Sequence, residues 1–160
     1  MKRMFLNTLA TVFVLLAVVP APNSAAAQVQ VPFYQAIAGS AGFTGPGTGQ
    51  YDGSGAGTHL GQSVVHGDIL VTVMPNGCGG FTAQHSDTIT AANGDQLYLQ
   101  VIEDACPVAP GSFHCLGTYT VTGGTGRFAN ATGNGVFDGL VDFTQGKFQA
   151  TYSGRISVAP

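Results

Sequence analysis

The residues of this chain best suited to acid–base chemistry are one histidine and two carboxylates near its middle. His85, Asp87 and Glu103 stand in runs of alternating polar and apolar residues, and Glu103 is the only glutamate of the chain. A carboxylate in an apolar interior has a raised pKa, and an imidazole beside it lets the pair exchange a proton near neutral pH. These three side chains are therefore the candidate catalytic residues.

The hairpin between the two runs decides whether the three side chains meet. The turn signal Asn93-Gly94-Asp95 admits two registers, because a three-residue loop places His85 opposite Glu103 and a two-residue loop places it opposite Ile102. We favour the three-residue loop, since it collects the apolar side chains on one face. It predicts the pairs Ala91–Leu97, Ile89–Leu99, Asp87–Val101 and His85–Glu103. A structural role, at a barrel mouth or on the wet face, is the alternative to catalysis.

Two tyrosines and two aliphatic residues complete the predicted site. By the same alternation Tyr119 and Tyr152 face inward, where their hydroxyl groups could orient a ligand oxygen. Leu99 and Val101 lie on the inner face and would supply apolar contacts, so all four are candidate ligand-binding residues. No spacing of cysteine and histidine matches a zinc site, and we expect neither a metal nor a cofactor.

The elements that must position these residues are β-strands, and the clearest is the last one. Its side chains alternate strictly between a buried and a wet face. The buried face carries Phe148, Ala150, Tyr152, Gly154, Ile156 and Val158. A two-residue turn at Gln145-Gly146 joins this strand to the one before it. That turn predicts the pairs Phe143–Phe148, Val141–Ala150 and Gly139–Tyr152.

Runs with strand character alternate with glycine-rich turns over the rest of the chain. Strands are predicted over Phe81 to Ala91, Leu97 to Glu103, Thr118 to Thr122, Thr58 to Val73 (one strand broken near Gly67, or two) and, most weakly, Val31 to Thr44, with a flexible loop over Gly45 to Gly57. Seven or eight short strands avoid exposed edges by closing on themselves, and glycines inside strands permit the tight curvature. The sequence therefore predicts an all-β protein, a small closed antiparallel β-barrel, with a β-sandwich as the alternative.

Residues 1–27 have the features of a secretory signal peptide. Lys2 and Arg3 precede an apolar stretch from Leu9 to Val19, and a run of small residues leads to a predicted cut after Ala27. The apolar stretch is shorter than the roughly 20 residues of a membrane-spanning helix. We expect a mature chain that starts at Gln28, is secreted or periplasmic by bacterial export, and is not inserted in a membrane.

The composition bounds the size and the partners of the mature protein. About 130 residues follow the signal peptide, which is enough for one domain with its own core. Residues 28–57 would form an amino-terminal strand and glycine-rich loop, and residues 58–160 the remainder of that domain. The chain is 44% hydrophobic and 8% charged with 24 glycines, which is too apolar for disorder. Its five lysines and arginines form no basic patch, so nucleic acid is not an expected partner.

Export would carry three cysteines, Cys78, Cys106 and Cys115, into an oxidising compartment, where one pair should form a disulfide. We expect Cys106 to pair with Cys115, because the strands on either side of the loop 107–114 should be antiparallel neighbours. Cys78 with Cys106 is the alternative, since the hairpin about Gly94 returns Cys78 to the same end of the barrel.

One glycine-rich stretch resembles a known family. Residues 123–128 read Gly-Gly-Thr-Gly-Arg-Phe, which is similar to the signature of the allene oxide cyclase-like and dirigent-like barrels. Matching neighbours occur in order: Thr58-His-Leu-Gly61, Thr90-Ala-Ala-Asn-Gly-Asp95 and Phe148-x-x-x-Tyr152-x-Gly154. The chain most resembles the secreted bacterial branch, most of whose members have no assigned activity. The resemblance implies an eight-stranded up-and-down barrel with an apolar central cavity, often packed into dimers or trimers, so a homo-oligomer is expected.

In physical terms the motif is a tight turn rather than an anion site. Gly123, Gly124 and Gly126 allow backbone angles closed to other residues, and they are expected to let Arg127 and Phe128 re-enter the sheet at a sharp angle. No predicted helix follows that could direct its dipole at a phosphate. The motif thus indicates the fold and not the activity.

Two functions of different classes fit these features. The favoured hypothesis is an exported barrel that binds a small apolar molecule or a partner in its cavity. The alternative is an isomerase or cyclase of the kind the resemblance implies, whose cavity selects one conformer of a reactive substrate and whose Glu103 polarises it. Binding is favoured because nothing in the sequence demands catalysis.

Overall fold

The computed structural model describes residues 29–158, which form a closed barrel of eight antiparallel strands. The strands are β1 (Val29–Gly45), β2 (Thr48–Gly57), β3 (Gly61–Val73), β4 (Phe81–Ala91), β5 (Gln96–Ala109), β6 (Ser112–Gly124), β7 (Gly133–Asp142) and β8 (Lys147–Val158). Each pairs with the next, and β8 pairs with β1. The predicted barrel is confirmed and the sandwich is excluded. The predicted signal peptide over residues 1–27 lies outside the described residues.

Alternation of side chains along each strand builds a single core inside the barrel. In β4, which begins and ends as predicted, every odd-numbered residue is buried and the even-numbered ones face outward. The largest side chains with almost no exposed surface are Tyr119, Tyr152, Phe128, Leu60, Ile89, Leu97, Leu99 and Ile156. No helix in the described part of the chain is long and apolar enough to cross a membrane.

The glycine-rich segment between the first two predicted strands is itself mostly strand. Gly45 to Gly57 was expected to be a flexible loop, but β2 occupies Thr48–Gly57 and pairs along its length with β1 and β3. Small residues are required there, because a side chain on Gly55 would collide with the backbone of β1 at Ala36. The weak pattern over Val31 to Thr44 is strand β1, and β3 is unbroken at Gly67.

The predicted register of the β4–β5 hairpin is wrong by two residues. Glu103 lies opposite Ala83 and His85 lies opposite Val101, and residues 92–95 connect the two strands. The Ala91 N–H donates to the Asp95 carbonyl at 2.8 Å, and this hydrogen bond closes the turn in the observed register. A shift of two residues leaves every side chain on its predicted face.

The β7–β8 hairpin differs from its prediction in the same way. The observed pairs are Val141–Phe148, Gly139–Ala150 and Phe137–Tyr152. The Asp142 carboxylate accepts hydrogen bonds from the backbone N–H groups of Thr144 at 2.8 Å and Gln145 at 3.1 Å. This Asx-type turn holds residues 143–146 as a four-residue loop in place of the predicted two-residue turn.

The predicted disulfide between Cys106 and Cys115 is wrong, because Cys106 bonds to Cys78. The inward residues of β5 are odd-numbered, so Cys106 points out of the barrel. Cys115 points inward, opposite Ala105, and is a buried free thiol. The loop that carries Cys78 lies against the outer wall, where Asn76 donates a hydrogen bond of 3.2 Å to Asp104.

The Gly-Gly-Thr-Gly-Arg-Phe motif closes one end of the barrel, which we call the sealed end. Residues Gly126–Phe128 form a short 3-10 turn, so Arg127 and Phe128 do not re-enter the sheet as predicted. Instead Phe128 fills the barrel end and is fully buried. Gly126 has a φ of +53°, and Asp95 receives the Arg127 backbone N–H at 3.3 Å while lying 3.7 Å from its guanidinium. The glycine and the aspartate hold the turn over the opening.

Candidate ligand-binding cavity

A cavity lies at the opposite end of the barrel, where β1, β3, β5 and β7 finish; we call this the cavity end. Its volume is about 40 Å³, counted as the space that the centre of a water-sized sphere can occupy. The lining residues are Phe43, Tyr51, Ile69, Phe81, His85, Glu103, Cys115, Phe137, Gly139, Leu140, Val141, Phe143, Phe148, Gln149 and Ala150. The walls are therefore almost entirely apolar, with one histidine–glutamate pair among them.

Three small residues on neighbouring strands leave this space open. Cys115 on β6 lies opposite Gly139 on β7, which lies opposite Ala150 on β8. A methyl group added at Gly139 would come within 3.2 Å of the Ala150 side chain and 3.3 Å of Phe137, so the wall is closely packed sideways. The free volume arises because no large side chain projects from this row into the barrel.

Four phenylalanines surround the mouth of the cavity. The Phe43 and Phe143 rings stack with centroids 4.5 Å apart, and the Phe81 and Phe113 rings lie 5.2 Å apart. Phe43 is 52% exposed. A second pocket of about 270 Å³, by the same measure, lies outside them beside Met74. Phe43 and Phe81 line both spaces, so these two rings separate the inner cavity from the outer pocket.

The polar pair on the cavity wall is His85 and Glu103. His85 Nε2 lies 3.0 Å from Glu103 Oε1, across a diagonal of the β4–β5 ladder, and both side chains are about 4% exposed or less. Burial by itself lowers the pKa of His85, but the hydrogen bond to Glu103 and the negative charges of Glu103 and Asp87 outweigh it and raise that pKa above its ordinary value. The imidazole is thus held towards its protonated form.

Asp87 lies deeper in the barrel and belongs to a tyrosine network. The Tyr152 hydroxyl donates to Asp87 Oδ2 at 2.8 Å, and the Tyr51 hydroxyl lies 3.1 Å from that of Tyr152. Burial raises the pKa of Asp87, and the positive charge of His85 only partly opposes this. Burial and the charge of Asp87 raise the pKa of both tyrosines well above their ordinary value. The two hydroxyl groups therefore act as hydrogen-bond donors and not as acids.

Several polar atoms in the barrel interior have no hydrogen-bond partner among residues 29–158. They include His85 Nδ1, Glu103 Oε2 and Asp87 Oδ1, and all three are buried. Leaving such an atom unpaired costs on the order of 1–3 kcal/mol. His85 Nδ1 and Glu103 Oε2 belong to residues that line the apolar cavity. A ligand with one polar group could form a hydrogen bond with either atom.

The structure separates the predicted site residues into two groups. His85 and Glu103 meet and line the cavity, as the preferred face assignment required. Asp87, Tyr152, Tyr119, Leu99 and Val101 are buried on the inner face but do not line it. Tyr119 packs edge-on against Phe33 and Tyr152, nearer the sealed end, and burial raises its pKa to about 12.

Three sets of cavity residues were not predicted as site residues from the sequence. Tyr51 lies in a segment predicted to be a loop, Cys115 was predicted to form a disulfide, and the phenylalanines around the mouth were not predicted to line a cavity. Side-chain alternation held a signal for Cys115. In the observed register Cys115 lies opposite Ala105 and Cys106 lies opposite His114, so the two cysteines point to opposite faces of the sheet. Within residues 29–158, no three His, Cys, Asp or Glu side chains cluster closely enough to hold a metal ion.

Comparison with known proteins identifies no family for this chain. The sequence matches no protein-family model and no curated protein. Among solved structures, the chain is similar to a pterocarpan synthase dirigent protein at 17% sequence identity and a TM-score of 0.36, with 91% of this chain and 98% of that chain covered. A similarity at that TM-score supports no conclusion about the function of this chain.

Proposed function

We propose that this protein binds a small, uncharged and largely apolar molecule in the cavity end of the barrel. The observation that carries the proposal is an apolar cavity whose ionisable lining residues, among residues 29–158, are Tyr51, Cys115 and the buried His85–Glu103 pair. Apolar walls with a few convergent polar groups are typical of small-molecule sites. The ligand's polar group would form a hydrogen bond with His85 or Glu103, and its apolar part would fill the cavity.

The dimensions of the two spaces limit the ligand. The inner cavity of about 40 Å³ accepts only a few non-hydrogen atoms, whereas the outer pocket of about 270 Å³ accepts more. A molecule of larger size would place its narrow end in the cavity and pass between Phe43 and Phe81. Because Phe43 is half exposed, its ring can turn aside at less cost than a fully buried one.

The resemblance in sequence supports a barrel of the allene oxide cyclase-like or dirigent-like kind, of the secreted bacterial branch. The signature lies at the sealed end, which makes it a mark of the fold. Export with cleavage before Gln28 is part of the proposal, and the disulfide between Cys78 and Cys106 is compatible with an oxidising compartment. Sequencing the amino terminus of the exported protein would contradict it by finding Met1.

Small-molecule mass spectrometry of the protein purified from its host tests the binding function. The matched variant is Ala150→Val, which adds two methyl groups inside the cavity, and the control is Ala38→Val, which adds them to the exposed outer face of β1. We expect wild type and Ala38→Val to carry the same compound and Ala150→Val to lack it. As a direct probe, 2-butanone should shift the NMR signals of cavity residues such as Val141. The proposal would be contradicted if the purified protein retained no compound and 2-butanone caused no shift of the NMR signals.

A second candidate function is favoured by the same pair of side chains. His85 with a raised pKa beside the carboxyl group of Glu103 could move a proton at a bound substrate, as an isomerase or cyclase requires. The test is Glu103→Gln, which preserves volume and removes the titratable proton. If the protein converts the compound it retains, this variant should still bind it while turnover falls by about a hundredfold or more. Unchanged turnover would remove Glu103 from the chemistry.

A further inference from the structure

The free cysteine of the barrel lies inside the cavity. The chain has three cysteines, and two of them form the Cys78–Cys106 disulfide. The third, Cys115, is 6% exposed and lines the cavity beside Gly139 and Ala150. A thiol at this place is shielded from bulk solvent but adjoins the space that a small ligand would fill.

The second observation is the polar pair that shares this space. Cys115 lies opposite Ala105, two residues along the inner face of β5 from Glu103, so the thiol and the carboxyl group are diagonal neighbours. Burial, and after it the negative charge of Glu103, raises the pKa of the Cys115 thiol. Glu103 Oε2 and His85 Nδ1 are buried without a partner among the described residues. A thiol, a carboxyl group and an imidazole therefore lie on one wall of the cavity.

We propose that Cys115 adds covalently to small α,β-unsaturated carbonyl compounds that enter the cavity, with Glu103 as the base and His85 as the partner of the carbonyl oxygen. The proposal rests on the proposed function, since the compound must first bind in the cavity. It extends that function from reversible binding to the capture of an electrophile.

The reaction adds the S–H group across the carbon–carbon double bond. The carboxylate of Glu103 takes the thiol proton while the sulfur forms a bond to the β-carbon. The π electrons move to the carbonyl oxygen, giving an enolate that the protonated imidazole of His85 stabilises. The proton held by Glu103 then passes to the α-carbon and leaves a saturated carbonyl joined to Cys115 by a thioether. No oxidant, reductant or leaving group is required.

The cavity favours this class of electrophile over charged thiol reagents. Enones and enals are uncharged and flat, and they carry one acceptor oxygen, which matches an apolar wall with one imidazole donor. The Cys115 thiol is protonated at rest, so it reacts poorly with reagents that need a free thiolate. Activation would occur only when a compound is positioned beside Glu103.

Methyl vinyl ketone and its saturated counterpart 2-butanone test the proposal on the intact protein. We expect methyl vinyl ketone to add one probe mass to wild type, mapped to Cys115 by peptide analysis, and Cys115→Ser to lack that adduct. Glu103→Gln should form it about a hundredfold more slowly. The matched control is Asp104→Asn, which removes a carboxylate from the outer face of the same strand and should react as wild type does.

Each outcome decides between the two proposals. Shifts of cavity residues with 2-butanone but no adduct at Cys115 would overturn covalent capture and leave reversible binding intact. If 2-butanone caused no shifts and methyl vinyl ketone formed no adduct, both proposals would be overturned. Equal rates in wild type and folded Glu103→Gln would also overturn the proposal, because the base would then contribute nothing. If Glu103→Gln does not fold, Glu103→Asp replaces it, and a rate equal to that of wild type would contradict a role for the carboxylate position.

Discussion

The two ends of the barrel are closed by different kinds of contact. At the sealed end Phe128 and Leu60 are almost completely buried, and an Asp95–Arg127 pair holds the turn above them. At the cavity end Phe43 is half exposed, and small side chains leave space beneath the rings. The loops of the cavity end, residues 46–47, 74–80, 110–111 and 143–146, contain no charged residue. The end with the recognisable motif stabilises the fold, and the end without one has the features of a binding site.

The largest expected effect comes from removing the plug of the sealed end. Phe128→Ala should lower the free energy of unfolding by about 3–5 kcal/mol, because a fully buried ring leaves a cavity behind. Phe43→Ala at the cavity end is the matched change, and it should cost only about 1 kcal/mol because the ring is half exposed. Urea unfolding of both variants measures the difference. Equal losses would mean that the two ends are packed alike.

The disulfide should have the next largest effect. It closes a loop of 28 residues on the outer wall near the cavity end. Replacing both cysteines, as in Cys78→Ala with Cys106→Ala, should lower the free energy of unfolding by about 3 kcal/mol through the entropy of the unfolded chain. The losses from this change and from Phe128→Ala should add, since the sites lie at opposite ends. A loss well below 1 kcal/mol would show that the cavity end does not depend on the cross-link.

Filling the cavity should change binding far more than stability. Ala150→Val places two methyl groups in existing space, so the free energy of unfolding should change by less than about 1.5 kcal/mol. The NMR shifts caused by 2-butanone at cavity residues should disappear, while Ala38→Val on the outer wall should retain them. Retained shifts in Ala150→Val would place the binding site elsewhere and would break the contrast between the ends.

The sequence predicted faces well and registers poorly, for one physical reason. Side-chain alternation has a period of two, so it places His85 and Glu103 inward whichever of two registers differing by two residues is formed. What fixes the register is local turn chemistry, such as the Asp142 carboxylate that captures the N–H groups of Thr144 and Gln145. Predicting the turn from its glycine alone therefore gave the wrong partners on the correct face.

The candidate site was predictable only in part. Glu103 stood out because a single glutamate in an apolar strand is unusual, and its contact with His85 survived the change of register. The cavity itself depends on Cys115, Gly139 and Ala150 becoming neighbours across three strands. That adjacency is a property of the closed barrel and of the exact registers, and no single run of residues carries it.

The smallest expected effect is the pH dependence of stability that His85 gives to the cavity end. Its pKa is raised above the ordinary value of 6.5, so the folded state holds the imidazole proton more tightly than the unfolded chain does. The stabilisation is therefore complete below pH 6.5 and is lost as the pH rises through the folded pKa. The melting temperature of wild type should fall over that range, and His85→Gln should lack this part of the fall.

His66 on the outer wall provides the comparison for that measurement. The hydrogen bond to Asp52 raises the pKa of His66 as well, but its side chain is 46% exposed, so solvent and salt weaken the interaction. Added salt should therefore reduce the pH-dependent stability that His66 contributes and leave the contribution of His85 nearly unchanged. The variant His66→Gln, which removes the His66 contribution, measures its size. The acidic side chains that face His85 are Glu103 and Asp87. The Tyr51 and Phe137 rings also pack against His85, and these rings shield it from ions. A salt-sensitive loss at His85 would show that water and ions reach the His85–Glu103 pair through the cavity end.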